Sequence, residues 1–208
     1  LTEVCGNIPR VAGDLILPGS GIELFTPNHE YLKAEGLEWT LSFDVDLAEV
    51  AGSDIGSLNI LWNGNYYLTN ETLSSTVTPV LDCKGYFSSS CDPTPTFRFI
   101  QRTSWTYGDL DVGYLWRYIG EVEAAPEVRA GYFSEFQKID AHHYFDVFAG
   151  YQINENFRIN GRVTNVFDKD PPVVGNEAGT TTFNSGNTFP SLYDSVGRVF
   201  SVGVSAKF

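Results

Sequence analysis

The side chains able to do chemistry in this 208-residue chain are few, and their spacing suits none of the usual reactions. Three cysteines and three histidines are present. A metal site joining Cys5 to His29, His142 or His143 has no ligand spacing to recommend it. His142 and His143 are adjacent, and neighbours in a strand point to opposite faces, so they read as surface histidines near a strand end. Asp168-Lys169-Asp170 before Pro171-Pro172 lacks the run of oxygen ligands that a calcium loop uses. Those prolines cannot continue a ladder, so the segment reads as a strand end opening into a loop. Asn70-Glu71-Thr72 has the form of a glycosylation sequon. No Ser-His-Asp arrangement, phosphate-cradling glycine loop or redox cysteine pair occurs. The residues therefore point to neither an enzyme, a metal site nor a cofactor.

The informative chemistry is instead where the arginines fall along alternating segments. Leu37, Trp39, Leu41, Phe43, Val45 and Leu47 oppose Glu38, Thr40, Ser42, Asp44 and Asp46, a strand as long as a tilted membrane crossing of about 9 to 11 residues. Leu58, Ile60, Trp62, Tyr66 and Leu68 oppose Asn59, Asn63, Asn65 and Thr69, with Gly64 in the apolar row and Leu61 and Tyr67 in the polar one. If the row Phe97, Phe99, Trp105, Tyr107 faces outward, Arg98 and Arg102 face inward. The rows Leu110 to Tyr118 and Phe157, Ile159, Val163 likewise send Arg117, Arg158 and Arg162 inward. An arginine on a lipid face near the midplane costs about 2 to 4 kcal/mol, so confinement to one parity is what a barrel wall requires. Arg198 breaks the parity near a strand end, where it can snorkel. The chain closes with Val202, Val204, Ala206 and Phe208 alternating with Ser201, Gly203, Ser205 and Lys207.

Strands are expected near Gly21 to Pro27, Leu32 to Leu47, Gly56 to Thr72, Pro95 to Tyr107, Leu110 to Glu123, Lys138 to Ile153, Phe157 to Phe167 and Ser195 to Phe208. Short links at Leu47 to Gly56, Gly108 to Asp109 and Asn154 to Asn156 alternate with long ones at Leu73 to Thr94, Ala124 to Gln137 and Asp168 to Asp194, although the first link, Asn28 to Tyr31, is short where a long one is due. Outer-membrane barrels show this alternation of clipped inner turns and elaborate outer loops. The aromatic content of 14% and formal charge of −13 fit acidic outer loops, and that charge argues against a nucleic-acid partner. Mean hydropathy is near zero because each strand is only half apolar, and no apolar run is long enough for a membrane helix.

Several segments together resemble the C-terminal barrel strands of TonB-dependent outer-membrane receptors of Gram-negative bacteria. They are Gly161 to Pro172 with its Asn165-Val-Phe-Asp168 core, Gly186 to Pro190, Tyr193-Asp194 and Gly197 to Phe208. Upstream, Asp82-Cys83 to Cys91, Pro95, Arg98, Trp105 and Trp116 to Gly120 continue the likeness, which covers nearly the whole chain and is faintest over Leu1 to Pro27.

The resemblance implies an all-β, antiparallel transmembrane barrel of about 22 strands with a plugged lumen. Residues 1–208 would hold about eight of those strands. The plug domain, energy-coupling box and signal peptide would lie upstream of Leu1, and the absence of any methionine suggests a fragment or processed product. The implied function is binding and import of a scarce, bulky nutrient, an iron-siderophore, vitamin or glycan fragment, driven by the inner-membrane TonB complex through the plug. Other implied partners are outer-membrane lipid and the assembly machinery, which would read Ser201, Gly203, Ala206 and Phe208. The family also carries a disulfide in the loop bracketed by Cys83 and Cys91, and an oxidising compartment suits that bridge; Cys5 would then have lost its partner with the upstream sequence. Tyr86, Phe87, Phe183, Phe189 and Tyr193 in the outer loops are candidate ligand contacts, against the alternative of loop-on-loop packing.

Two other architectures fit part of the pattern. A self-contained eight-stranded barrel with a structural or small-pore role fits the strand count, although Leu1 to Pro27 is irregular for a strand pairing with the last. A soluble β-sandwich is disfavoured by strand length and by outward-facing Trp39, Trp62, Trp105 and Trp116.

Overall fold

The computed structural model describes residues 31–73, 78–175 and 187–207. The expected strand Gly21 to Pro27, Cys5, His29, Phe183 and Phe208 lie outside the described residues. Seven long strands form one antiparallel sheet: β1 (Tyr31–Asp46), β2 (Ser57–Leu73), β5 (Phe97–Tyr107), β6 (Leu110–Ile119), β9 (His142–Asn154), β10 (Phe157–Thr164) and β11 (Val199–Ala206). Each pairs with the next in chain order, and β1 and β11 are the two edges of this sheet among the described residues. A two-residue β3 (Leu81–Asp82) extends the outer end of β2.

The turns follow from their residues. Gly108 adopts φ 54° in the two-residue link between Tyr107 and Leu110, a left-handed conformation that glycine supplies without strain. The Asn154 side chain accepts from the backbone N–H groups of Asn156 and Phe157 and so closes the β9–β10 turn. Leu47, expected to end the strand from Leu32, instead opens a short helix, Leu47–Ala51. Asp46 caps it by accepting from the Ala48 N–H, and Gly52 ends it at φ 70°.

The long connections all lie at the other end of the sheet, where four expected strands prove shorter; one of them, Lys138 to Ile153, breaks after Ile139 and joins the wall only from His142. The segment Leu110 to Glu123 leaves the wall at Ile119, and β7 (Val122–Ala124) joins β4 (Tyr86–Phe87) and β8 (Lys138–Ile139) in a separate three-stranded sheet. Phe157 to Phe167 stops at Thr164 because Asn165 takes a left-handed φ of 51°. Ser195 to Phe208 contracts to Val199–Ala206. The small sheet, with Tyr144 of β9 and Val174, Phe189 and Tyr193 of the β10–β11 connection, encloses the main buried apolar cluster of the described residues. This loop cap sits at one end of a wall whose own apolar face is exposed.

Candidate functional site

Cross-strand register settles the faces of the wall. Phe43 pairs Ile60, Ile60 pairs Thr103, and Thr103 pairs Tyr114. Tyr114 pairs Val147, Val147 pairs Val163, and Val163 pairs Phe200. Directly opposed residues share a face, so the apolar rows of all seven strands form one continuous surface. Exposed Leu41, Phe43, Tyr114, Ile159, Phe200, Val202 and Val204 lie on it. Arg98, Arg102, Arg117, Arg158 and Arg162 all lie on the other face, as their parity requires.

Irregularities in the alternation have local causes. A bulge between Glu35 and Gly36 leaves Leu68 without a cross-strand partner, which lets the rows of β2 slip at that end. Gly64 occupies the apolar row because the Trp39 ring lies over it; a Cβ there would meet a Trp39 ring carbon at 2.0 Å. Gln101 and Thr103 interrupt the apolar row of β5, and the Gln101 amide donates to the Thr103 hydroxyl at 2.6 Å between Trp62 and Trp116 on the flanking strands. Aromatic rings band this face. Near the cap, Trp39, Phe97, Phe99, Tyr118, Trp116 and Phe145 form a chain of contacts with centroids 4.8 to 5.8 Å apart. Near the tight turns, Trp105 stacks on Tyr107 and donates to the Ile55 carbonyl.

The inward face carries a buried ion cluster. Asp146 of β9 is fully buried and accepts from the Arg162 guanidinium at 2.5 Å, the Arg117 guanidinium at 3.4 Å and the Asn165 N–H at 3.0 Å. Arg117 also forks onto both carboxylate oxygens of Asp194, at 2.9 and 2.5 Å, and its guanidinium lies over the Tyr144 ring. Asp194 belongs to the third outer connection, so this pair ties the cap to the wall. Lower down, Arg158 pairs with Asp111 over Gly150. The Asn165 to Asp168 segment makes the wall-to-loop corner. The Asn165 amide clamps Lys169 through its carbonyl and its N–H, and Asp168 accepts from the Arg198 N–H. Arg198 also approaches the Asp168 carboxylate at 3.8 Å. Between the wall and Leu192 of the cap lies an open concavity of about 540 Å³ lined by Glu38, Thr40, Asn63, Asn65, Arg98, Ile100 and Arg117.

The expected loop bridge is present: Cys83 and Cys91 are disulfide-bonded with Cα atoms 5.4 Å apart. Phe87, Phe189 and Tyr193 are brought together and fully buried, with the Phe87 ring edge-on to Phe189 and stacked on Tyr132, and Tyr193 against His142. Their rings are enclosed by loop-on-loop packing. Burial pushes the Tyr193 hydroxyl well above the ordinary tyrosine range. Burial also raises the Asp92 carboxyl, partly offset by the Ser191 hydroxyl that donates to it and so links the first and third outer connections. Tyr86 is half-buried at a groove with Lys84, Phe97, Tyr118 and Glu123. Ser201 and Gly203 face inward opposite Arg162 and Asn160, and Ala206 ends the strand opposite Phe157. His142 joins the cap while His143 accepts from the Trp116 indole on the outward face, so the two do not converge. The Asn70 amide donates to Thr94.

Sequence reasoning missed Asp146, and it had Asp194 only within the family resemblance, without its pairing to Arg117. The available signal was charge of opposite sign at inward positions of adjacent strands, Arg117 in β6 and Asp146 in β9, but using it needs the register that brings them together.

No family model and no curated protein matches the chain. Among solved structures, the fold is similar to the ferric enterobactin receptor PfeA of Pseudomonas aeruginosa, with TM-score 0.53 and 20% identity over 84% of this chain and 22% of that one. It is also similar to the siderophore receptor PirA of Acinetobacter baumannii, with TM-score 0.50 and 16% identity over the same shares. The all-β antiparallel strands expected from the TonB-dependent receptor resemblance are thus observed, with a fold similar to part of these receptors, and the chain spans about a fifth of their length. Both are receptors rather than enzymes.

Proposed function

We propose that this chain is the C-terminal part of the barrel wall of an outer-membrane active transporter, one that imports a scarce, bulky nutrient with energy from the TonB complex. The observation carrying this reading is the sorting of side chains across seven strands. One face is apolar and banded by aromatic rings, and the other gathers all five wall arginines. A soluble sheet has no use for so wide an exposed apolar face. The fold shared with PfeA and PirA supports the receptor class and favours a metal-chelating siderophore among the nutrient classes.

In this reading the apolar face meets outer-membrane lipid and the loop cap lies outside the cell. The remaining strands and the plug complete the lumen, and the plug receives the pull of the energy complex. The cap contributes a stiff rim, since Phe87, Phe189 and Tyr193 fix the three outer connections to one another. Ligand contact then falls to the cap surface, including Tyr86, and to the concavity beneath Leu192. Ser201, Gly203, Ala206 and Phe208 serve the assembly machinery.

The test is uptake. The gene's full product, expressed in a receptor-deficient Gram-negative strain, should accumulate at least one ferric siderophore, vitamin or glycan only while the proton-motive force is intact. The isolated 208 residues should support none. Uptake that survives collapse of the proton-motive force, or a size-limited leak through the 208 residues alone, would favour a small self-contained pore instead.

A further inference from the structure

The cap and the wall share an outward side. In the cap sheet, Phe87 pairs Ala124 and Val122 pairs Ile139 on the face that encloses the buried cluster. Tyr86 pairs Glu123 and Glu123 pairs Lys138, so these three stand on the opposite face. Where that face meets the wall, a groove of about 520 Å³ joins the outward rings Phe97 and Tyr118 to Lys84, Tyr86 and Thr96. It begins where the aromatic band of the wall ends, since Phe97 stacks on Trp39 at 5.7 Å and lies 5.6 Å from Tyr118. Two carboxylates, Glu121 and Glu123, also line the groove, and each already has a cation: Lys138 lies 2.9 Å from Glu121 and Arg129 2.6 Å from Glu123. Lys84 has no ion pair among the described residues, so the free charge of the groove is positive in a chain of formal charge −13. Aromatic rings at such a level mark the zone where hydrocarbon gives way to headgroups, and a groove of this volume holds far more than one phosphate.

The geometry points to a seat for an outer-leaflet glycolipid, one whose headgroup is a phosphorylated sugar. Lys84 meets the phosphate as a point charge. The flat rings of Tyr86 and Tyr118 take the less polar faces of the sugar, while the Thr96 hydroxyl and the carboxylates of Glu121 and Glu123 accept from its hydroxyls. The acyl chains continue over Phe97 and Trp39 onto the apolar wall. A phospholipid carrying only a glycerol phosphate would engage Lys84 and leave the rings and carboxylates unused, which is why the composition of the groove favours a sugar. The inference rests on the reading of the outward face as the lipid side. It moves Tyr86 from the imported ligand to the surrounding membrane and leaves the concavity beneath Leu192 as the ligand's own.

The experiment uses the gene's full product with a photo-crosslinking residue at Tyr86, or separately at Val202 on the apolar face. Each protein is folded into vesicles of phosphatidylglycerol mixed with lipid A, a bisphosphorylated disaccharide lipid, and the adducts are identified by mass spectrometry. At Val202 the two lipids should appear in the proportion of the mixture, whereas at Tyr86 lipid A should exceed that proportion by about tenfold. Lys84→Glu should remove most of this enrichment and Lys84→Arg should retain it, with the Val202 adducts unchanged in both. Inorganic phosphate in excess should leave it in place. Proportionate labelling or no lipid adduct at Tyr86, enrichment of phosphatidylglycerol there, indifference to Lys84→Glu, or displacement by inorganic phosphate would overturn the glycolipid seat and leave the wall reading intact. Absence of any lipid adduct at Val202 would instead strike the wall reading itself.

Discussion

Phe87 and Phe200 are both phenylalanines on β-strands, yet Phe87 is fully buried in the cap and Phe200 is 72% exposed on the wall. The cap behaves as a small water-soluble unit: apolar residues inside, held by a disulfide and by links such as Ser191 to Asp92, with charged Arg129, Glu123 and Lys138 on its surface. The wall is turned outward, its apolar rows exposed and its charges gathered on the inner face around Asp146. On the proposed reading, the same residue types follow opposite rules within one chain because the two regions face different solvents. A hydrophobic residue in the cap is stabilised by neighbours that the chain itself supplies, whereas one on the wall is stabilised by whatever bathes it.

The contrast can be broken most severely at Phe87. Phe87→Ala should cost about 3 to 5 kcal/mol of cap stability, since Phe189, Tyr132 and Val122 would line a cavity. Limited proteolysis should then cut the outer connections while the membrane strands stay protected and heat-modifiable on gels. Loss of both together would mean that the cap and wall fold as one unit.

Next in size is Phe43→Arg, which places a guanidinium on the apolar face of β1 at a cost of about 2 to 4 kcal/mol, against Ser42→Arg on the inward face, which should be near neutral. Outer-membrane levels of the two variants measure the difference, and equal effects would dissolve the two-faced wall. Cys83→Ser with Cys91→Ser opens the loop bridge and should destabilise the cap by roughly 2.5 kcal/mol in the loop-entropy account, with no effect on strand insertion. Peptide mapping without reductant should recover the two cysteines joined.

The smallest effect is a pH dependence confined to the cap. The folded state keeps the Tyr193 proton to higher pH than an unfolded chain does, so its contribution is complete below the ordinary tyrosine value of about 10 and is lost as pH rises beyond it. Proteolysis of the outer connections should quicken above that pH, and Tyr193→Phe should remove this part of the dependence. Phenolate absorbance should show fewer late-ionising tyrosines in Tyr193→Phe than in the parent.

The wall was legible in the sequence because its signal is strictly local. Alternation along each strand sorted Arg98, Arg102, Arg117, Arg158 and Arg162 onto one face before any register was known, and the long and short links marked the two ends. The cap was not legible in the same way. β4, β7 and β8 are two or three residues each, too short to show a period, and β4 and β7 come from connections separated by a whole hairpin. Residues 120–123 therefore read as a continuation of β6, when Gly120 is bonded to Phe97 and the chain turns away to meet β4. Loop aromatics are also ambiguous from sequence, because a ring that packs on another loop and a ring that meets a ligand look alike. The Asn165 to Asp168 motif was visible as a pattern, but its work emerged only with the Lys169 clamp and the bond to Asp146.

The central claim is that the two faces of the sheet meet different solvents, and spin labels along one strand test it directly. With Cys5→Ser as background, single labels at Ser42, Phe43, Asp44 and Val45 of β1 in membrane-inserted protein can be challenged with oxygen, which concentrates in lipid, and with a water-soluble nickel chelate. The account predicts oxygen contact at Phe43 and Val45 and chelate contact at Ser42 and Asp44, alternating with the period of two that a strand imposes. Uniform access to either reagent along the four positions would contradict it.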